Sequence, residues 1–149
     1  MNPGIAEIAA VAQVVGSVGM FGAIWIVQVV HYPLMRFVSG PQFARFESAH
    51  RARISWVVGP LMLLEGVCVL AFLFAPPAGL SWWLPWAGAA AEAVVIGTTV
   101  FVSAPLHERL NAHFDPATLD RLIATNWIRT VGWTGRAALA IAMLVAVLG

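Results

Sequence analysis

Four long apolar stretches constrain this chain more than any other feature of its sequence. A helix needs about 20 predominantly apolar residues to cross the hydrocarbon core of a membrane. The chain is 60% hydrophobic and only 10% charged, whereas soluble domains carry about a quarter charged residues. We therefore expect an integral membrane protein in contact with the lipid bilayer. The apolar stretches run over residues 5–30, 54–75, 82–102 and 127–148.

The boundaries of the stretches predict how the chain is organised. Gly40-Pro41 and Asp115-Pro116 are typical helix starts, in which a capping residue precedes a proline at the first helical position. The length of 149 residues predicts one domain, 1–149. The expected fold class is all-α: a four-transmembrane-helix up-down bundle with helical extensions on the cytoplasmic side. Its helices are expected over about 5–32, 41–75, 82–112 and 116–148.

The arginines predict the orientation of the bundle in the membrane. All eight basic residues are arginine, and they concentrate in and beside the two connections that follow the first and third stretches. The positive-inside rule places both connections in the cytoplasm and both termini outside. We expect localisation in the bacterial inner membrane. No basic run suggests nucleic acid as a partner, and the single cysteine, Cys68, excludes an internal disulfide.

Polar side chains recur along one face of each stretch. Projected at about 100° per residue, the polar residues of each helix fall within an arc of about 60–80°. Such stripes should face one another inside the bundle, although hydrogen bonds that merely join the helices would give the same pattern. Glu65, Glu92 and Arg136 all lie near the middle of the membrane. We expect Arg136 to pair with one or both glutamates, or one glutamate to be protonated, either to fix the helix register or to relay protons.

Four side chains at the cytoplasmic ends of the stripes form the candidate metal site: His31, Glu47, His50 and His107. Glu47 and His50 are three residues apart and project from nearly one face of a helix, a spacing that metal-binding bundles use. Imidazole and carboxylate ligands suit iron, zinc, copper or manganese, and we expect iron or copper. Haem held by two of the histidines is the alternative cofactor, and Arg53 would then bind its propionates, or a carboxylate substrate. A histidine at a membrane interface is also common as an ordinary surface residue.

Two segments in the second half of the chain resemble a known family. The segment 104–110 reads Ala-Pro-Leu-His-Glu-Arg-Leu, and 126–129 reads Asn-Trp-Ile-Arg, followed by Trp133 and Arg136. In these segments the chain resembles the small four-helix membrane proteins related to anthrone oxygenases. The resemblance implies a four-helix membrane fold and, for some members, oxygenation of a lipophilic aromatic molecule. The family positions would be Pro105, His107, Leu110, Asn126 and Arg129, with His107 standing where the family often has asparagine.

The residues and the resemblance together predict an oxygenase-like oxidoreductase in the membrane that depends on a metal ion. It would act on a lipophilic small molecule at the cytoplasmic end of the bundle. Asn126 and Arg129 would be its catalytic residues, orienting substrate or oxygen-derived groups. Two alternatives stay open: a haem-binding electron-transfer or sensing module, and a non-catalytic membrane subunit or binder. Gly16, Gly19 and Ala23 would allow close helix contacts, either within the chain or in a homo-oligomer.

Overall fold

The computed structural model describes residues 1–38 and 40–149 and consists of four long helices, with no strand in those residues. Each helix is long and apolar enough to cross a membrane. This finding confirms the predicted all-α class with four membrane-length helices. We number them α1 (Pro3–Phe37), α2 (Gly40–Phe74), α3 (Trp83–Ala112) and α4 (Pro116–Leu148).

The start of α4 follows from local chemistry. Asp115 has extended backbone angles, and its carboxylate accepts hydrogen bonds from the backbone N–H groups of Ala117 and Thr118. The Thr118 side chain also donates to it at 2.6 Å, and these hydrogen bonds from Thr118 lower the pKa of Asp115. Pro116 then occupies the first helical position, where its missing N–H costs nothing. The predicted start at Asp115-Pro116 is therefore confirmed.

Two π-helical segments interrupt the α-helical geometry, at Val27–His31 in α1 and at Thr99–Ser103 in α3. Each ends two residues before a proline, Pro33 or Pro105. Proline lacks a backbone N–H and clashes with the carbonyl four residues earlier, and a wider turn relieves both problems. The side chains that follow are consequently rotated relative to an uninterrupted helix.

The four helices expose many large apolar side chains and bury polar ones within a mainly apolar core. The α4 helix packs against α1 and α3, while α1 also packs against α2. Large apolar side chains point away from the bundle, and Trp56, Phe74 and Phe101 are each about 80% exposed. The bundle interior, by contrast, contains charged, amide and hydroxyl side chains. They are Gln13, Ser17, Gln28, Glu47, Glu65, Glu92, Thr98, Ser103, Asn126, Arg129, Thr130 and Arg136.

Glycines permit the closest approaches between helices. A Cβ atom at Gly16 would lie 2.7 Å from Glu65 Oε1, and one at Gly19 would lie 3.1 Å from Leu61 Cδ2. A Cβ atom at Gly132 would overlap the Val95 side chain. These small residues therefore serve contacts within the chain.

We expect Gly132→Ala to destabilise the bundle by about 1–3 kcal/mol, because the added methyl group would force α4 away from Val95. Gly135→Ala is the matched control on the same helix, since its methyl group would meet nothing within 4 Å. Adding Val95→Ala to Gly132→Ala should restore most of the loss. Thermal unfolding in detergent, followed by circular dichroism, measures all three effects. Equal melting temperatures for the two glycine variants would contradict this packing.

Candidate functional site

The structure brings the four predicted metal ligands together between α1, α2 and α3. The rings of His31 and His50 stack with their centroids 4.3 Å apart, and the His107 ring lies 5.5 Å from His50. The carboxylate of Glu47 is fully buried and contacts His107 Nδ1 at 2.5 Å. Both prolines and their π segments contribute here, because they set the direction of His31 on α1 and of His107 on α3.

A fifth member of the cluster, Tyr32, was not among the predicted site residues. Its hydroxyl lies 2.8 Å from His107 Nε2, and its side chain is buried. A carboxylate can only accept a hydrogen bond, so with Glu47 as a carboxylate His107 Nδ1 carries the proton and Nε2 accepts from the Tyr32 hydroxyl. The result is a hydrogen-bonded chain, Tyr32–His107–Glu47. The sequence contained one signal for it, since Tyr32 is the single tyrosine of the chain and directly follows His31.

The arrangement of these side chains does not by itself form a closed ligand set. Among the residues that the structure describes, no three His, Cys, Asp or Glu side chains are grouped to hold a metal ion. Both ring nitrogens of His107 are already hydrogen-bonded, so this residue would have to break one bond to bind a metal. In the same described part, His31 Nε2 and Glu47 Oε2 are buried without a hydrogen-bond partner. The iron or copper assignment stays a prediction, with these two atoms as its free donors.

The haem alternative also stays a prediction. Two histidines that ligate one haem must bind its iron from opposite faces of the porphyrin. Here the His31 and His50 rings stack directly on each other, at 27° between planes. The rings would therefore have to separate before a porphyrin fitted between them.

A cavity of about 250 Å³ opens beside the Tyr32–His107–Glu47 chain. Most of its wall area is apolar. The polar part is supplied by Tyr32, His50, Arg51, Ser55, Thr99, Ser103, His107 and Arg129. An apolar cavity of about 150 Å³ is large enough to bind benzene in other proteins. The present cavity therefore suits a lipophilic molecule of one or two rings. The apolar lining consists of Met20, Ala23, Ile24, Val27, Ile54, Val58 and Ala104.

Arg129 is a buried cation on the wall of this cavity. Arg129 is 7% exposed, and its Nη1 donates to Asn126 Oδ1 at 3.0 Å. Asn126 is itself fixed by donating to Gln28 Oε1 at 2.8 Å. Across residues 1–38 and 40–149, no carboxylate lies within salt-bridge distance of Arg129. A buried charge without a counter-ion is costly, so the cavity favours a ligand with negative charge on an oxygen atom.

The two predicted catalytic residues thus have different positions. Arg129 lines the cavity, whereas Asn126 is fully buried behind it and orients the guanidinium. The Tyr32 side chain lies beside Arg129 on the wall of this cavity.

The predicted cofactor residue Arg53 lies elsewhere. It is exposed and lines an outer groove with His31, Phe46 and Val57. The structure therefore does not bring Arg53 to the same pocket as Arg129.

The predicted intramembrane charges form a second cluster, separate from the cavity. Arg136 lies 3.0 Å from Glu65 and 3.6 Å from Glu92. Because Arg136 is seven residues from Arg129 on α4, the two clusters are about 10 Å apart along the helix.

Comparisons with protein-family models, with curated proteins and with solved structures found no match for this chain. The resemblance to the proteins related to anthrone oxygenases therefore stays a prediction from the two short segments.

Proposed function

We propose that this chain is an integral membrane enzyme that binds a lipophilic small molecule in the 250 Å³ cavity and removes a proton from its acidic O–H or C–H group. One observation carries the proposal: the Tyr32–His107–Glu47 chain ends in the wall of an apolar cavity that also contains Arg129. A proton acceptor and a buried cation at one apolar site suit a substrate that becomes an oxyanion.

In the proposed step, the proton that leaves the substrate is taken up by Tyr32 and His107. The Tyr32 oxygen takes the proton of the substrate as the Tyr32 hydroxyl proton passes to His107 Nε2. The resulting imidazolium is stabilised by the Glu47 carboxylate on Nδ1. The substrate is left as a phenolate or enolate, whose negative oxygen pairs with the guanidinium of Arg129. Asn126 positions that guanidinium, and the apolar wall excludes water, which strengthens the electrostatic interactions.

The membrane arrangement is part of the proposal. Hydrogen bonds join Trp25 to Thr134 and Gln28 to Ile123, so α1 and α4 run antiparallel. This supports an up-down bundle. Together with the arginine distribution, it supports a cavity at the cytoplasmic end and both termini outside. We propose the bacterial inner membrane as the location. A lipophilic substrate would then reach the site from the bilayer.

A second candidate is the metal-dependent oxidoreductase predicted from the sequence. It is favoured by two buried donor atoms, His31 Nε2 and Glu47 Oε2, which lack hydrogen-bond partners among the described residues. Together with His50, these residues would hold an iron or copper ion. Such an ion would supply redox or Lewis-acid chemistry next to the cavity.

We expect 2-naphthol, a lipophilic phenol, to bind the wild-type protein in detergent near pH 7 and to show the absorption of its anion. The anion should form because Arg129 stabilises the oxyanion and the Tyr32–His107–Glu47 chain takes the proton. Tyr32→Phe and Arg129→Gln should each reduce the bound anion at least tenfold, as expected for loss of about 1.4 kcal/mol or more. Absorption and fluorescence titrations measure the fraction of anion.

Arg121→Gln is the control for this experiment, because Arg121 is an exposed arginine of α4 outside the cavity. It should bind and ionise 2-naphthol like the wild type. Circular dichroism checks that each variant is folded. If wild-type protein binds only neutral 2-naphthol, or if Tyr32→Phe retains the anion, the proton-transfer proposal is wrong.

For the metal candidate, we expect unsupplemented, detergent-purified protein to contain near-stoichiometric iron or copper by elemental analysis, without a Soret band. His50→Ala should then lose the metal while the helical circular dichroism is unchanged, because His50 would be a ligand and is only half-buried. Stoichiometric metal retained in that variant would exclude His50 as a ligand. A Soret band in the wild type would instead favour haem.

The orientation predicts opposite results for two fusions of alkaline phosphatase, which is active only outside the cytoplasm. A fusion after Gly149 should be active, and one after His113, in the connection between α3 and α4, should be inactive. Membrane fractions with equal amounts of fusion protein provide the comparison. Activity at His113 and none at Gly149 would reverse the proposed orientation.

A further inference from the structure

Three ionisable side chains are buried together near the middle of the helices, apart from the cavity. The side chains of Arg136 and Glu65 are fully buried, and that of Glu92 is 5% exposed. Arg136 Nη2 lies 3.0 Å from Glu65 Oε2, and Arg136 Nε lies 3.6 Å from Glu92 Oε2. The cluster therefore contains one cation and two carboxyl groups.

In the described part of the chain, the groups that face the cluster include no second cation. From α1, the Ser17 hydroxyl donates to Glu65 Oε2 at 2.7 Å. Also from α1, Gln13 accepts from Arg136 Nη1 and Nη2 at 2.9 and 3.1 Å when its amide oxygen faces the guanidinium. Cys68, three residues after Glu65, is the other titratable group that faces the cluster. Within the described residues, no further basic side chain lies within salt-bridge distance of either glutamate.

The two carboxyl groups are not equivalent. Glu65 Oε2 has both the shorter contact to Arg136 and the hydrogen bond from Ser17. Glu92 has the longer contact, and neither of its oxygens has a hydrogen-bond partner in residues 1–38 and 40–149. An ionised carboxylate requires several donors when it is buried, and a second one beside Glu65 would leave net negative charge in an apolar surrounding. Protonation removes that charge.

We propose that this cluster is a binding site for one exchangeable proton, which Glu92 carries beside the Arg136–Glu65 ion pair. The backbone is shaped to enclose it: a Cβ atom at Gly16 would lie 2.7 Å from Glu65 Oε1, and one at Gly88 would lie 3.3 Å from Arg136 Nη1. The site is thus surrounded by closely packed helices rather than by lipid. It is distinct from the proton-accepting chain at the cavity and does not depend on the proposed enzymatic function.

Infrared spectroscopy of the wild-type protein in detergent tests the proposal. At pH 7 exposed carboxyl groups are ionised, so a carboxylic-acid C=O band reports a buried proton. We expect one such band in the wild type and its loss in Glu92→Gln. Glu108→Gln, which alters a carboxylate that is 66% exposed, should keep it. As the pH is raised, the melting temperature of the wild type should fall more steeply than that of Glu92→Gln, because only the wild type has this proton to lose.

Each other outcome would overturn the proposal. A wild-type spectrum without an acid band at pH 7 means that both glutamates are ionised. A band that persists in folded Glu92→Gln places the proton on another residue. If Glu92→Gln does not fold, Glu92→Asp replaces it, and an unshifted band in that variant has the same meaning. A band that disappears on adding sodium at constant pH would identify a metal-cation site instead.

Discussion

The four helices are long and apolar enough to cross a membrane, and this length and composition impose one constraint on the fold. In a bilayer their polar side chains must find partners inside the bundle, because lipid offers none. Arg136 illustrates it, since its guanidinium contacts helices α2 and α3 through Glu65 and Glu92. Such a buried ion pair adds little net stability, because the cost of desolvating both charges offsets their attraction. It does fix the register of α2 against α4, because sliding either helix would separate Arg136 from Glu65. Gly16 and Gly88 leave the space that the Glu65 and Arg136 side chains occupy.

The proline-linked π segments connect this frame to the cavity. Pro33 and Pro105 each follow a π segment by two residues, on two different helices. The residues beside these prolines, Tyr32 and His107, form the hydrogen bond at the cavity wall. A π segment rotates the following side chains relative to a regular helix. The same backbone feature that accommodates proline therefore also directs both members of the hydrogen-bonded pair toward each other.

Much of the fold could be predicted from the sequence, because hydropathy and helix-start signals are local. The start of α4 at Asp115-Pro116 is an example. The cavity was harder to predict, since projection at a constant angle per residue does not include π segments. That projection grouped His31 with the polar face of α1 and left Tyr32 out. Tyr32 on α1 and Glu47 on α2 bond to the two ring nitrogens of His107 on α3. Contacts between three helices depend on how the helices pack, which residue spacing along the chain does not predict.

Arg129 and Arg136 provide the physical argument for a ligand. They lie two turns apart on α4, both buried, yet Arg136 has two carboxyl groups and Arg129 has none within the described residues. The bundle can therefore place an acidic residue opposite a buried arginine, as it does at Glu65. At Arg129 the opposing space is instead a cavity with a mostly apolar wall, and no carboxylate residue lines it. A buried guanidinium is stabilised only when its charge is balanced. Glu65 balances the charge of Arg136, and a negatively charged ligand oxygen in the cavity would do the same for Arg129.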